Sequence, residues 1–118
     1  MNKSVLLCVP HTKTIDQDWK TLINALEANE FVLMETDVNT LLEIIVVVQI
    51  IRHGGQPYDV MIVDSLNDEL IIEELQSLNI PTIRVVQKIS EPIFRNEHQI
   101  CRPIEEKELI SLVNQVAQ

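Results

Sequence analysis

Short unbroken apolar runs alternate in this chain with stretches whose apolar residues recur at helical spacing, and that alternation leaves few folds open. Val5 to Val9 is five apolar residues in a row, the pattern of a strand buried on both faces. Ile15, Trp19, Leu22, Ile23 and Leu26 follow at helical spacing, with Thr14 and Gln17 placed as a capping box and Asn29 as a stop. Phe31 to Met34 reads as a second strand. Asp37 or Asn39 can cap a helix from Thr40 to about His53, closed by Gly54 and Gly55. Tyr58 to Val63 is a third strand, and Ser65 to Asn67 opens a helix carrying Leu70, Ile71, Leu75 and Leu78. Thr82 to Val86, entered from Pro81, and His98 to Cys101 are the fourth and fifth strands. Leu109, Ile110, Leu112, Val113 and Val116 mark a last helix.

Strands alternating with helices imply a parallel sheet covered on both faces, because each parallel crossover needs a helix-sized connection. With right-handed crossovers, the expected architecture is a flavodoxin-like three-layer α/β sandwich whose five parallel strands run in the order 2-1-3-4-5. At 118 residues the chain fits one domain, residues 1–118, large enough to bury a core without a disulfide or metal staple. Two segments depart from the pattern. Thr40 to Ile51 (TLLEIIVVVQII) is β-branched and apolar nearly all the way round. Its length and its place between strands favour a helix over a strand, and its second apolar side needs cover. Either a neighbouring loop supplies that cover, or the segment is an interface through Leu42, Val46, Val47 and Ile50 to a partner or a second copy. The other departure is Gln87 to Glu97, too short for a helix with its two loops and broken by Pro92. A loop or single turn is expected there, leaving the fourth helix shortened or missing.

Charge removes some function classes. Nine basic against eighteen acidic residues give a net charge of −9, which repels nucleic acid and anionic membranes. Cys8 and Cys101 lie inside apolar runs and read as buried free thiols of a reducing cytoplasm. The apolar run before Pro10 is too short for a signal-peptide core, and Thr40 to Ile51 is far below a membrane-spanning length. A cytoplasmic protein is expected, with neither membrane nor nucleic acid as partner.

Chemistry in such a sheet collects at the carboxyl ends of the strands. Those ends carry Pro10, His11 and Thr12, then Asp64, Ser65 and Asn67, then Gln87 and Lys88, then Arg102 and Pro103. With strands one, three and five as neighbours, Asp64 and Arg102 approach as a structural ion pair or as the remnant of an anion site. His11, His53 and His98 have no metal-ligand spacing. The only glycines are Gly54 and Gly55, so no glycine-rich phosphate loop occurs. No cofactor, metal or catalytic residue is expected, and the chain does not read as an enzyme.

Three stretches resemble the receiver domains of two-component response regulators. Tyr58-Asp59-Val60-Met61-Ile62-Val63-Asp64 is similar to the receiver third strand, which ends at the phosphoacceptor aspartate. Ile80-Pro81-Thr82-Ile83-Arg84-Val85-Val86 is similar to the fourth strand. Ile100-Cys101-Arg102-Pro103-Ile104 stands where the family has a lysine followed by proline, joined by a peptide that is usually cis. The resemblance makes Asp64 the phosphoacceptor equivalent, but other positions depart from it. Pro10 and His11 stand where receivers carry the acidic pair that holds Mg²⁺, Val86 replaces the switch hydroxyl, and Arg102 replaces the lysine. Phosphoryl transfer depends on that clamp. The resemblance therefore implies a degenerate pseudo-receiver: a signalling domain working through protein–protein contacts without phosphorylation, its surfaces being Thr40 to Ile51 and the Gln87 to Glu97 segment with Ile93 and Phe94. One alternative is a working receiver that phosphorylates Asp64 and recruits Asp16 or Asp18 to the metal. Another is a phosphocarrier of the sugar phosphotransferase IIB type using Cys8 after strand one, although Cys8 lies inside the strand and its loop has no glycine.

Overall fold

The computed structural model describes residues 3–9, 17–37, 49, 53–54, 58–64, 73, 75–94 and 96–117. Its sheet has five strands, β1 (Ser4–Val9), β2 (Val32–Asp37), β3 (Val60–Asp64), β4 (Thr82–Val86) and β5 (Glu97–Cys101), in the order β2-β1-β3-β4-β5. Every pairing is parallel. Two helices, α1 (Gln17–Ala28) and α2 (Glu106–Val116), are described in full. This is the flavodoxin-like order expected from the alternation.

The continuous apolar runs are explained by the two-residue period of a strand, which sends alternate side chains to opposite faces. Val5 and Leu7, Val60 and Ile62, Ile83 and Val85, and Ile100 bury against Trp19, Leu22 and Leu26 of α1 and Leu109 and Val113 of α2. Leu6, Cys8, Met61 and Val63 point the other way and pack with Leu75 and Phe94. Asn29 stops α1 as expected, but the motif is larger than one residue. The Phe31 N–H donates to the Leu26 carbonyl and the Glu30 N–H to that of Glu27, a six-to-one and five-to-two pair. Glu30 takes the left-handed conformation at φ 66°, where glycine is the usual occupant.

Strand limits differ from the sequence reading by one to three residues at several ends, since β1 begins at Ser4, β2 at Val32, and β3 runs on to Asp64. β2 runs on to Asp37, because Val9↔Asp37 continues the ladder along the whole of β1; the helix start that Asp37 or Asn39 was expected to cap lies outside the described residues. β3 begins at Val60 because Asp59 is occupied beforehand: its N–H donates to the Ser4 carbonyl and its Oδ2 accepts from the Ser4 N–H at 2.8 Å. β5 begins one residue early, at Glu97. Of the Thr40 to His53 segment, Leu42, Val46, Val47 and Ile50 lie outside the described residues. At its end the His53 N–H donates to the Gln49 carbonyl, a helical bond, and Gly54 closes it at φ 85°. Among the described residues no helix is long and apolar enough to cross a membrane.

Residues 87–94 form no helix, as expected, and the sheet beneath them is adapted to that. Arg84, Glu97 and Gln99 alternate in register with Thr82 on the second face of β4 and β5, where a covering helix would require apolar side chains. The Arg84 Nε lies 3.0 Å from Glu97 Oε1, a close ion pair whose N–H is poorly aligned for a hydrogen bond. The Glu97 side chain is fully buried, and its Oε1 accepts the N–H groups of Ile93 and Phe94 at 3.0 and 3.2 Å. Gln99 bridges to Ser90 in both directions, accepting its N–H and donating to its carbonyl. Phe94 corrects an expectation: it is 4% exposed and belongs to the core, so it presents no contact surface. Its burial anchors the loop that replaces the helix. Ile93 is half-buried, and the exposed large apolar residue of the segment is Ile89, at 62%.

Burial pushes the Glu97 carboxyl up, but the Ile93 N–H, the Gln99 amide, the Phe94 N–H and the Arg84 guanidinium together hold it below the usual glutamate value. A carboxyl lowered on folding contributes stability that is present above its unfolded value and lost as pH falls through the folded one. Urea midpoints should therefore decline below about pH 4.3, and Glu97→Gln should flatten that decline. Arg84→Ala strands the buried carboxylate and should cost about 3–5 kcal/mol in the same assay. Glu30→Gly removes the left-handed strain and should raise stability by about 1 kcal/mol.

Candidate functional site

Three elements meet at the carboxyl end of the sheet. Asp64 is the last residue of β3, Asp18 lies in the first turn of α1, and Arg102 follows β5. β4 lies between β3 and β5, so Asp64 and Arg102 do not meet as strand neighbours. Arg102 is anchored by its own N–H, which donates to the Val86 carbonyl at 2.9 Å, and its long side chain spans the end of β4. The Arg102–Pro103 peptide is cis.

The guanidinium is a two-pronged bridge. Nη1 donates to Asp18 Oδ2 at 2.8 Å and Nη2 to Asp64 Oδ2 at 2.9 Å. The Trp19 indole N–H also donates to Asp64 Oδ2, at 3.3 Å. The other oxygen of Asp18 accepts the Ile104 N–H at 2.9 Å, fastening the first turn of α1 to the turn that leads into α2. A planar fork serves two carboxylates at once, which a lysine ammonium cannot do with the same geometry. The three side chains are about a fifth exposed, at 17% for Arg102, 23% for Asp18 and 21% for Asp64. Water screens them only partly.

This cluster is poorly suited to binding either phosphate or Mg²⁺. Among the described side chains here two carboxylates outweigh one guanidinium, which disfavours an incoming anion. Each oxygen of Asp18 already accepts a hydrogen bond, from Arg102 or from the Ile104 N–H, so a metal there would compete with the guanidinium. Val86 is buried at 4% exposure and carries no hydroxyl. Pro103 is exposed beside Arg102; Pro10 and His11 lie outside the described residues. Among the described residues no three His, Cys, Asp or Glu side chains cluster as a metal site. His53 and His98 are both exposed. Cys8 is fully buried, and burial pushes its thiol up to about 12, so the nucleophilic thiolate is scarce at neutral pH. Cys101 is half-buried; both cysteines are free thiols.

The approach of Asp64 and Arg102 is legible in the sequence, but the roles of Asp18 and Trp19 are not. The available signal is an acidic residue in the first turn of a helix that starts above the sheet's carboxyl edge. The Arg84–Glu97 pair is also missed, although a cation inside a strand buried on both faces demands a buried partner.

No family model matches this chain, and no curated protein does. Among solved structures it is similar to the crystal structure of a LacI family transcriptional regulator from Silicibacter pomeroyi, at 20% identity and a TM-score of 0.54. The match covers 83% of this chain and 36% of that one, so this chain spans about a third of the regulator it resembles. Likeness at that identity shows the shared α/β fold.

Replacing Arg102 leaves two partly buried carboxylates without their cation. Arg102→Ala should lower stability by roughly 1–3 kcal/mol, between the values for exposed and buried pairs, and Arg102→Lys should recover only part of it. Thiol titration should count at most one reactive cysteine in the native protein and two in denaturant. A second fast-reacting thiol under native conditions would contradict the burial of Cys8.

Proposed function

We propose that this chain is a pseudo-receiver: a signalling domain that keeps the receiver scaffold and acts through protein–protein contacts without being phosphorylated. The observation that carries the reading is the Arg102 bridge, which ties up Asp64 and Asp18 where a receiver would need an open carboxylate and a metal. Pro10 and His11 in place of the acidic pair, and Val86 in place of the switch hydroxyl, agree with it. The sheet order supports the kinship with receivers. In this reading the domain is a non-catalytic cytoplasmic protein whose partners are other proteins of a regulatory pathway. The irregular segment after β4, with exposed Ile89, and the apolar Thr40 to Ile51 stretch are its contact surfaces. The latter could equally receive a second copy of the chain.

Acetyl phosphate with Mg²⁺, followed by intact-mass measurement, tests this reading. The expected result is no added phosphoryl group. An adduct that disappears in Asp64→Asn would instead establish a working receiver, and one that disappears in Cys8→Ser would establish a phosphocysteine carrier.

A further inference from the structure

Ser90 connects an exposed hydroxyl to the buried ion pair that fixes the segment after β4. Its Oγ accepts from Arg84 Nη2 at 3.0 Å. Arg84 is 5% exposed, and the same nitrogen also donates to the Glu91 carbonyl at 3.1 Å. The guanidinium further faces Glu97, whose carboxylate holds the backbone N–H groups of Ile93 and Phe94. One cation thus stands between a solvent-accessible hydroxyl and the acceptor that organises the loop. Among the other described hydroxyls Ser4 and Thr82 are buried in strands, Thr21 and Ser111 lie within helices, and Ser77 is exposed in a turn as Ser90 is, so it is the hydrogen bond from buried Arg84 that sets Ser90 apart. Ser90 sits in an exposed irregular stretch tied to the sheet through the two bonds to Gln99, so a kinase must release those bonds and the one from Arg84.

We propose that Ser90 is a phosphorylation site whose phosphate is read by Arg84, and that the modification loosens residues 87–94 by drawing Arg84 away from Glu97. The inference does not rest on the receiver reading. A serine kinase would use a nucleoside triphosphate: the Ser90 Oγ–P bond forms while the bond from the γ-phosphorus to the bridging oxygen breaks. The hydroxyl proton passes to the kinase's base and the nucleoside diphosphate leaves. The product carries about −1.5 to −2 charges and three strong acceptor oxygens, and phosphate competes well for a guanidinium. Glu97 is then a buried carboxylate deprived of its cation, an arrangement relieved by letting the carboxylate reach water. Its grip on Ile93 and Phe94 goes with it. Phosphorylation would so remodel the surface that carries Ile89 without altering the Arg102 bridge.

The test uses the full chain with phosphoserine installed at position 90 during translation. The phosphate is titrated by phosphorus NMR in the folded protein and again in urea, and amide exchange is followed at Ile93 and Phe94. The phosphate should titrate lower when folded than in urea, and exchange at the two amides should quicken at least tenfold relative to unmodified protein. Arg84→Met alone strands Glu97 and threatens folding, so the control is the double variant Arg84→Met/Glu97→Gln, in which both effects should vanish. A phosphate that titrates alike folded and unfolded, or unchanged exchange at Ile93 and Phe94, overturns the reading role of Arg84. Phosphopeptide mapping of the chain recovered from its own cells should find modified Ser90; its consistent absence across growth conditions overturns the use of the site.

Discussion

The Arg102 guanidinium between Asp18 and Asp64 is the contact on which the carboxyl edge of this sheet depends. It joins the end of β3, the start of α1 and the turn into α2, three elements far apart in sequence. A metal ion bound at such a place can come and go, and a phosphoryl group can be added and removed. A side chain cannot leave. Arg102 gives the carboxyl edge of the sheet a cation that is part of the chain, with Asp64 Oδ2 accepting from both the guanidinium and the Trp19 indole.

A second polar cluster does comparable work on the other face. Where the chain is too short to place a helix over β4 and β5, it covers them with an irregular segment, and the strands carry Arg84, Glu97 and Gln99 to match. Irregular backbone has unpaired N–H groups, and those of Ser90, Ile93 and Phe94 are satisfied by side chains from β5. Phe94 then inserts into the core beside Leu75. The polar strand face and the missing helix are two aspects of one solution.

Much of the scaffold was legible in the sequence because burial on both faces writes itself as unbroken apolar runs. Val5 to Val9 and Val60 to Val63 could hardly be anything but central strands, and the alternation with helices left a single natural sheet order. What was hidden was polar and tertiary. Asp18 looks like an ordinary first-turn acid until α1 is laid against the turn after β5, eighty-odd residues away. Phe94 looks like a surface aromatic in a polar loop until Leu75 and Met61 are seen to surround its place in the core. Glu30 in the left-handed position gives no sign of itself, because a glycine is the residue one would look for there.

In the proposed pseudo-receiver reading Arg102 keeps the Asp64 site closed, and the indole N–H of Trp19, which donates to Asp64, reports on that site directly. Its proton–nitrogen NMR resonance should stay in place through a Mg²⁺ titration and after addition of acetyl phosphate, while moving in Asp64→Asn. A resonance that shifts with Mg²⁺ and saturates would mean that the carboxylates release Arg102 to take a metal, and the account of a closed site would fail.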